Sequence, residues 1–114
     1  MDLEKYKQKI REFADERNWD QYHTPKNLAM ALSVEASELV EIFQWLKQEE
    51  SKNLSPKDLQ SVKEELADIF IYLIRIADKF DIELEDAVLE KLKKNAEKYP
   101  VELAKDNAVK YNKR

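Results

Sequence analysis

Apolar residues at helical spacing divide the chain into four segments separated by short polar breaks. Leu3, Tyr6, Ile10 and Phe13 mark one face of a first helix, expected over about residues 3–17. The stretch Asn18 to His23 (NWDQYH) is polar and aromatic and breaks the pattern. Thr24-Pro25 then offers an N-cap followed by proline at the first helical position, which predicts a second helix over about 25–47. Gln48 to Leu54 is a polar connection. Ser55-Pro56, with Asp58 in the first turn, repeats the start signal and predicts a third helix over about 56–79. Its middle, Leu66 to Ala77, is apolar nearly all the way round, which predicts burial against other subunits as well as its own helices. After a break at Asp81–Glu83, Leu84, Ala87, Val88, Leu92 and Asn95 align along a fourth helix over about 84–98. Tyr99-Pro100 stops it, because a residue before proline resists helical geometry. The tail from Val101 to Arg114 is weakly patterned and is expected to fray or to wrap on a partner.

One segment breaks the rules of an ordinary amphipathic helix. Leu28 to Leu46 (LAMALSVEASELVEIFQWL) is apolar enough for a core, yet it carries Glu35, Glu38 and Glu41 and no lysine, arginine or histidine. An exposed acidic helix usually interleaves bases three or four residues away. A partly buried carboxylate without a cation is costly. Positive charge is therefore expected from outside this helix, and a divalent metal can supply it.

Composition narrows the chemistry. The length of 114 residues suits a single domain over 1–114, small enough to gain from oligomerisation. A net charge of -4 argues against a nucleic-acid partner. The chain has no glycine, which excludes a P-loop or dinucleotide-binding turn and disfavours tight hairpins. It has no cysteine and one histidine, so a metal must be held by oxygen ligands, which suits Mg²⁺ or, as a substitute, Mn²⁺. The opening MDLEKYKQKI is not a signal peptide, and no apolar run reaches membrane-spanning length. These observations lead to the expectation of a cytoplasmic protein with no membrane partner.

Glu35 and Glu38 are three apart and share a helical face, with Trp45 seven beyond Glu38. Glu65 and Asp68 are also three apart, with Tyr72 four beyond Asp68. If the two helices run antiparallel, four carboxylates converge with rings at the edges. In a chain with 39% charged residues, Glu-x-x-Glu by itself is commonly a solvated face. The lack of basic partners in the second helix, and the isolation of Asp68 in its apolar run, keep a metal site open beside that reading. Glu41 and Glu64 are expected at the surface or outside the ligand set. Lys91, Asn95 and Lys98 form one stripe on the fourth helix, either a phosphate-holding edge or a solvated basic face. Trp19, Tyr22, His23, Trp45 and Tyr72 can make a stacking slot for a nucleobase or serve as core aromatics with a capping histidine.

These residues resemble the all-α, MazG-like nucleoside triphosphate pyrophosphohydrolases, and within them the dCTP pyrophosphatase branch. The resemblance runs through EFADERNWDQYHTPKNLAMAL, EASELVEIFQW, EELADIFIYL and the stretch around NAEKYP. It implies a four-helix-bundle-type subunit in a helical oligomer, a homotetramer whose active sites are completed by neighbours. It implies Mg²⁺ on Glu35, Glu38, Glu65 and Asp68. It also implies a base and sugar pocket from Trp19, Asp20, Gln21, Tyr22, His23, Trp45 and Tyr72, and phosphate contacts from Lys91, Asn95 and Lys98. Where the wider superfamily often has arginine, Lys98 keeps the charge without the two-pronged fork.

The expected reaction is Mg²⁺-dependent hydrolysis of a deoxynucleoside triphosphate, dCTP or a modified dCTP, to the monophosphate and pyrophosphate, serving nucleotide-pool sanitation. Glu38 is the expected group for orienting or deprotonating the water. The same chemistry on dUTP or on a broad range of non-standard triphosphates is the nearest alternative. A non-catalytic helical interaction module is the alternative from another class.

Overall fold

The computed structural model describes residues 1–110. The fold is all-α, with no strand among the described residues. Two compact units divide the chain, Met1–Asp81 and Ile82–Arg114. The first holds α1 (Leu3–Glu16), a 3-10 turn (Asp20–Tyr22), α2 (Pro25–Phe43), the one-turn α3 (Gln48–Ser51) and α4 (Pro56–Lys79). The second holds α5 (Leu84–Lys98) and the one-turn α6 (Val101–Ala104).

Local chemistry sets the helix starts. Thr24 Oγ1 accepts from the Asn27 N–H at 3.2 Å, and Ser55 Oγ accepts from the Asp58 N–H at 3.1 Å. Each cap precedes a proline, whose missing N–H is not needed in a first helical turn. Asp2 caps α1 in the same way, through the Lys5 N–H at 3.2 Å. Without glycine, the chain places Asn18, Asp81 and Asp106 in left-handed backbone conformations, at φ of 55°, 51° and 66°. Asn and Asp tolerate that region better than other non-glycine residues. At Asn18 the turn closes α1: the Asn18 N–H donates to the Asp15 carbonyl and the Trp19 N–H to the Ala14 carbonyl.

Two helix ends differ from the pattern. The second helix stops at Phe43, not near Lys47. The Leu46 N–H folds back onto the Phe43 carbonyl, and the separate turn α3 starts when Glu50 Oε1 accepts from the Lys47 N–H at 2.8 Å. Part of the expected tail is also helical, since α6 forms directly after Pro100. Residues 111–114 of that tail lie outside the described residues.

α2 and α4 pack together as the main contact of the first unit, and α1 packs on α4. The pairs run in opposite senses: His23, just before α2, meets Arg75, whereas Glu35 meets Glu65 and Ile42 lies beside Ser61. The helices are therefore antiparallel. Their buried centre is small: Ala14, Leu28, Ile74 and Ala77, joined by the charged Arg75. Much of the apolar surface of α4 stays exposed, with Leu66 at 52% and Leu73 at 41%. Among the described residues no helix is long and apolar enough to cross a membrane.

Candidate metal and nucleotide site

Glu35 and Glu38 project from α2 toward Glu65 on α4. One carboxylate oxygen from each lies within 4.8 Å of the others. Helical spacing supplies the first two, and antiparallel packing supplies the third. Glu35 Oε2 and Glu65 Oε2 are buried and have no hydrogen-bond partner. None of the ion pairs among the described residues engages Glu35, Glu38, Glu65 or Asp68. Buried polar atoms are normally satisfied, so two orphaned oxygens in one carboxylate cluster need an explanation.

The electrostatics point the same way. The Glu35 carboxyl is pushed from 4.5 up to about 8 by its contact with Glu65, by burial, and by Glu38 and Asp68. The contact with Glu35 favours an ionised Glu65, but burial, Glu38 and Asp68 still hold Glu65 above its ordinary value. Both shifts favour protonation, because the carboxylates crowd one another. A divalent cation would relieve that crowding. The donors are all carboxylate oxygens, which fits Mg²⁺ or Mn²⁺ and not a thiolate-seeking or imidazole-seeking ion.

Asp68 stands outside the triad but close enough to raise Glu35, Glu65 and Tyr72. It also lines a neighbouring cleft of about 340 Å³, a volume typical of small-molecule sites. The walls of this cleft include Ile10, Phe13, Ile71, Tyr72 and His23. Burial first, then Glu35 and Asp68, raise the Tyr72 hydroxyl above its ordinary value, so it remains a donor at neutral pH. Asp68 and Tyr72 join the carboxylate cluster to the cleft.

The expected aromatic slot is only partly this cleft. His23 and Tyr72 line it. Trp19 braces it from behind, edge-on to Phe13 at 5.8 Å and to His23 at 6.1 Å. Tyr22 is exposed and is not among the lining residues. Trp45 is 88% exposed. The helical line that tied it to Glu38 does not reach it, because α2 ends two residues earlier. Asp20 and Gln21 are engaged within the protein. Asp20 pairs with Lys79 and with Arg75, and Gln21 Nε2 donates to the Asn18 carbonyl at 3.0 Å. The hydrogen bond and charge of Lys79, then Arg75, hold the Asp20 carboxyl below its usual range. Lys91, Asn95 and Lys98 lie on α5 of the second unit.

Sequence reasoning missed the α1 wall and the charges behind it. Ile10 and Phe13 read as generic core positions. Arg75 does not pair with Asp68; it is buried and contacts Asp20, His23 and Asp78 instead. Arg11 completes the group through Asp78, its Nε donating at 3.0 Å. The available signal was an arginine inside an apolar run, which required buried partners.

Known proteins share this arrangement of helices and sequence. The dCTP pyrophosphatase 1 of Bos taurus is 45% identical over 102 residues, covering 88% of this chain and 60% of the relative. That of Homo sapiens is 42% identical over the same shares. The chain thus spans about 60% of the length of these curated relatives. The crystal structure of a pyrophosphatase from Archaeoglobus fulgidus superposes with a TM-score of 0.82 at 42% identity, covering 88% of this chain and 94% of that one. The model of the MazG-like family matches residues 30–113, a span that takes in the carboxylates of α2 and α4. With fold and sequence in agreement over most of its length, the chain belongs to the MazG-like family.

Proposed function

We propose that the protein hydrolyses a deoxynucleoside triphosphate, dCTP or a modified dCTP, to the monophosphate and pyrophosphate. The observation that carries this reading is the pair of orphaned buried oxygens on Glu35 and Glu65, set in an all-carboxylate cluster beside an apolar, ring-lined cleft. The names of the curated relatives and of the structural neighbour support it.

Glu35, Glu38, Glu65 and Asp68 would hold Mg²⁺, with Asp68 at the boundary of the cleft. When bound, the ion supplies charge stabilisation on phosphate oxygens and acidifies a water. Glu38 orients a water and takes its proton as the water oxygen attacks the α-phosphorus. The bond to the β-phosphate oxygen breaks, and its electron pair leaves with pyrophosphate. The resemblance seen in the sequence gives Lys91, Asn95 and Lys98 the part of contacting phosphate oxygens, where such groups would steady the leaving charge. His23 and Tyr72 receive the base within walls formed by Ile10, Phe13 and Ile71. The exposed apolar residues of α2 and α4 fit a homotetramer in which neighbouring copies cover them. A cytoplasmic location suits an enzyme of the nucleotide pool.

The test is an assay of the common and methylated triphosphates with Mg²⁺, separating pyrophosphate from single phosphate. Selective release of pyrophosphate from dCTP is the expected result. Stepwise release of single phosphates would overturn the reading. Full Mg²⁺-dependent turnover by Glu38→Gln would remove Glu38 from its role.

A further inference from the structure

Arg75 is 4% exposed, and its whole fork is used. Nε donates to His23 Nδ1 at 3.3 Å and Nη2 donates to Asp20 Oδ1 at 2.9 Å, while Nη1 lies 3.7 Å from Asp78 Oδ2. A guanidinium has donors only and does not give up its proton in proteins. The atom facing Nε must therefore accept, so His23 Nδ1 carries no hydrogen. A neutral imidazole that accepts at Nδ1 bears its proton on Nε2. Burial, then the charges of Arg75 and Lys79, also disfavour the doubly protonated ring. Trp19 packs against the ring in an edge-to-face arrangement, with centroids 6.1 Å apart. His23 lines the cleft, and no described residue hydrogen-bonds to its Nε2.

We propose that Arg75 is a positioning residue that fixes His23 as the Nε2–H tautomer, so that the His23 ring presents a fixed hydrogen-bond donor, and no acceptor, to the base of a bound deoxynucleotide. The inference rests on the nucleotide reading above and adds a selection rule to it. A cytosine ring offers a bare N3 beside its carbonyl, which accepts from Nε2–H. Uracil and thymine carry a hydrogen on N3, and donor would meet donor. A site that places a fixed donor disfavours a base that cannot satisfy it. The Asp20 and Lys79 contacts tie the His23 loop to α4, so the donor is held by the same helix that carries Glu65 and Asp68.

His23 is the single histidine of the chain, so its two ring nitrogens are identified without ambiguity in ¹⁵N-labelled protein. The expected wild-type spectrum shows a proton-bearing Nε2 and a bare Nδ1. Addition of dCMP should shift Nε2 and its proton, and dUMP at the same concentration should shift them less. Arg75→Met should spread the proton over both nitrogens. It should also reduce the preference for dCTP over dUTP by about tenfold, chiefly through KM, the loss expected for one hydrogen bond. A wild-type ring protonated on Nδ1 or on both nitrogens at neutral pH would overturn the proposal, whether or not the variant folds. So would a ring indifferent to both monophosphates, or an unchanged preference in folded Arg75→Met. Binding of dCMP without pyrophosphate release from any triphosphate would remove the hydrolytic reading alone, leaving the spectra to decide on Arg75.

Discussion

At the scale of single residues, the proposed function predicts that the carboxylates pull stability and activity in opposite directions. Glu35→Gln replaces an acid whose ionisation is opposed by Glu65, Glu38 and Asp68 with a neutral group of the same shape. The metal-free protein should melt a few degrees higher, while Mg²⁺-dependent turnover should fall by at least about 100-fold. Paired melting curves and rate assays check both signs. The pH dependence follows from the same group. A carboxyl raised on folding contributes stability below its unfolded value that is lost as pH rises through its folded value. For Glu35 that window runs from 4.5 to about 8. Metal-free melting temperatures should decline across it, and Mg²⁺ should raise them most at its upper end. The shared face of Glu35 and Glu38 was legible from their three-residue interval, whereas the approach of Glu65 depended on the antiparallel packing of two helices. The place of Trp45 was not legible, because its line to Glu38 assumed two more residues of helix. Arg75 and Phe13 acquire their roles from elements distant in sequence, which no local pattern reports.

At the scale of elements, cap chemistry made α4 and α5 readable, since Ser55-Pro56 and Tyr99-Pro100 leave the backbone few options. The end of α2 was harder, with no glycine or proline between Phe43 and Gln48 to mark it. Its only signal was Glu50, three residues after Lys47, reaching back to a free N–H. Ser55→Ala should cost about 1 kcal/mol of stability, measured by denaturant unfolding, with little effect on the carboxylate cluster. Asn18 gives a sharper test of backbone reasoning. Because its φ is 55°, Asn18→Gly should be neutral or mildly stabilising, whereas Asn18→Val should cost about 1–2 kcal/mol. Equal effects of the two would show that the left-handed turn is dispensable.

At the scale of the molecule, the apolar pattern of α4 exceeds what α1 and α2 cover. The helical fold class was legible because the absence of glycine and the 3.6-residue periodicity agree. The missing burial was legible too, but only as an excess of apolar positions without an address. If copies of the chain supply the cover, the melting temperature should rise with protein concentration, and light scattering should give four times the chain mass. Leu66→Glu would place a charge on that surface and should shift the scattering mass toward one chain. A concentration-independent melting temperature would count against assembly.

The length of α4 has one more consequence. From Glu65 to Arg75 the helix rises about 15 Å, with a carboxylate of the cluster at one end and the anchor of the His23 loop at the other. In the proposed function, metal binding and base recognition thus share a rigid rod, meeting at Asp68 and Tyr72 and reaching apart toward its two ends. On the proposed function, changes around Arg75, Asp78 and Lys79 would retune which base is accepted while the carboxylates stay where they are. On that reading, a lineage could exchange one nucleotide substrate for another without rebuilding the proposed hydrolytic centre.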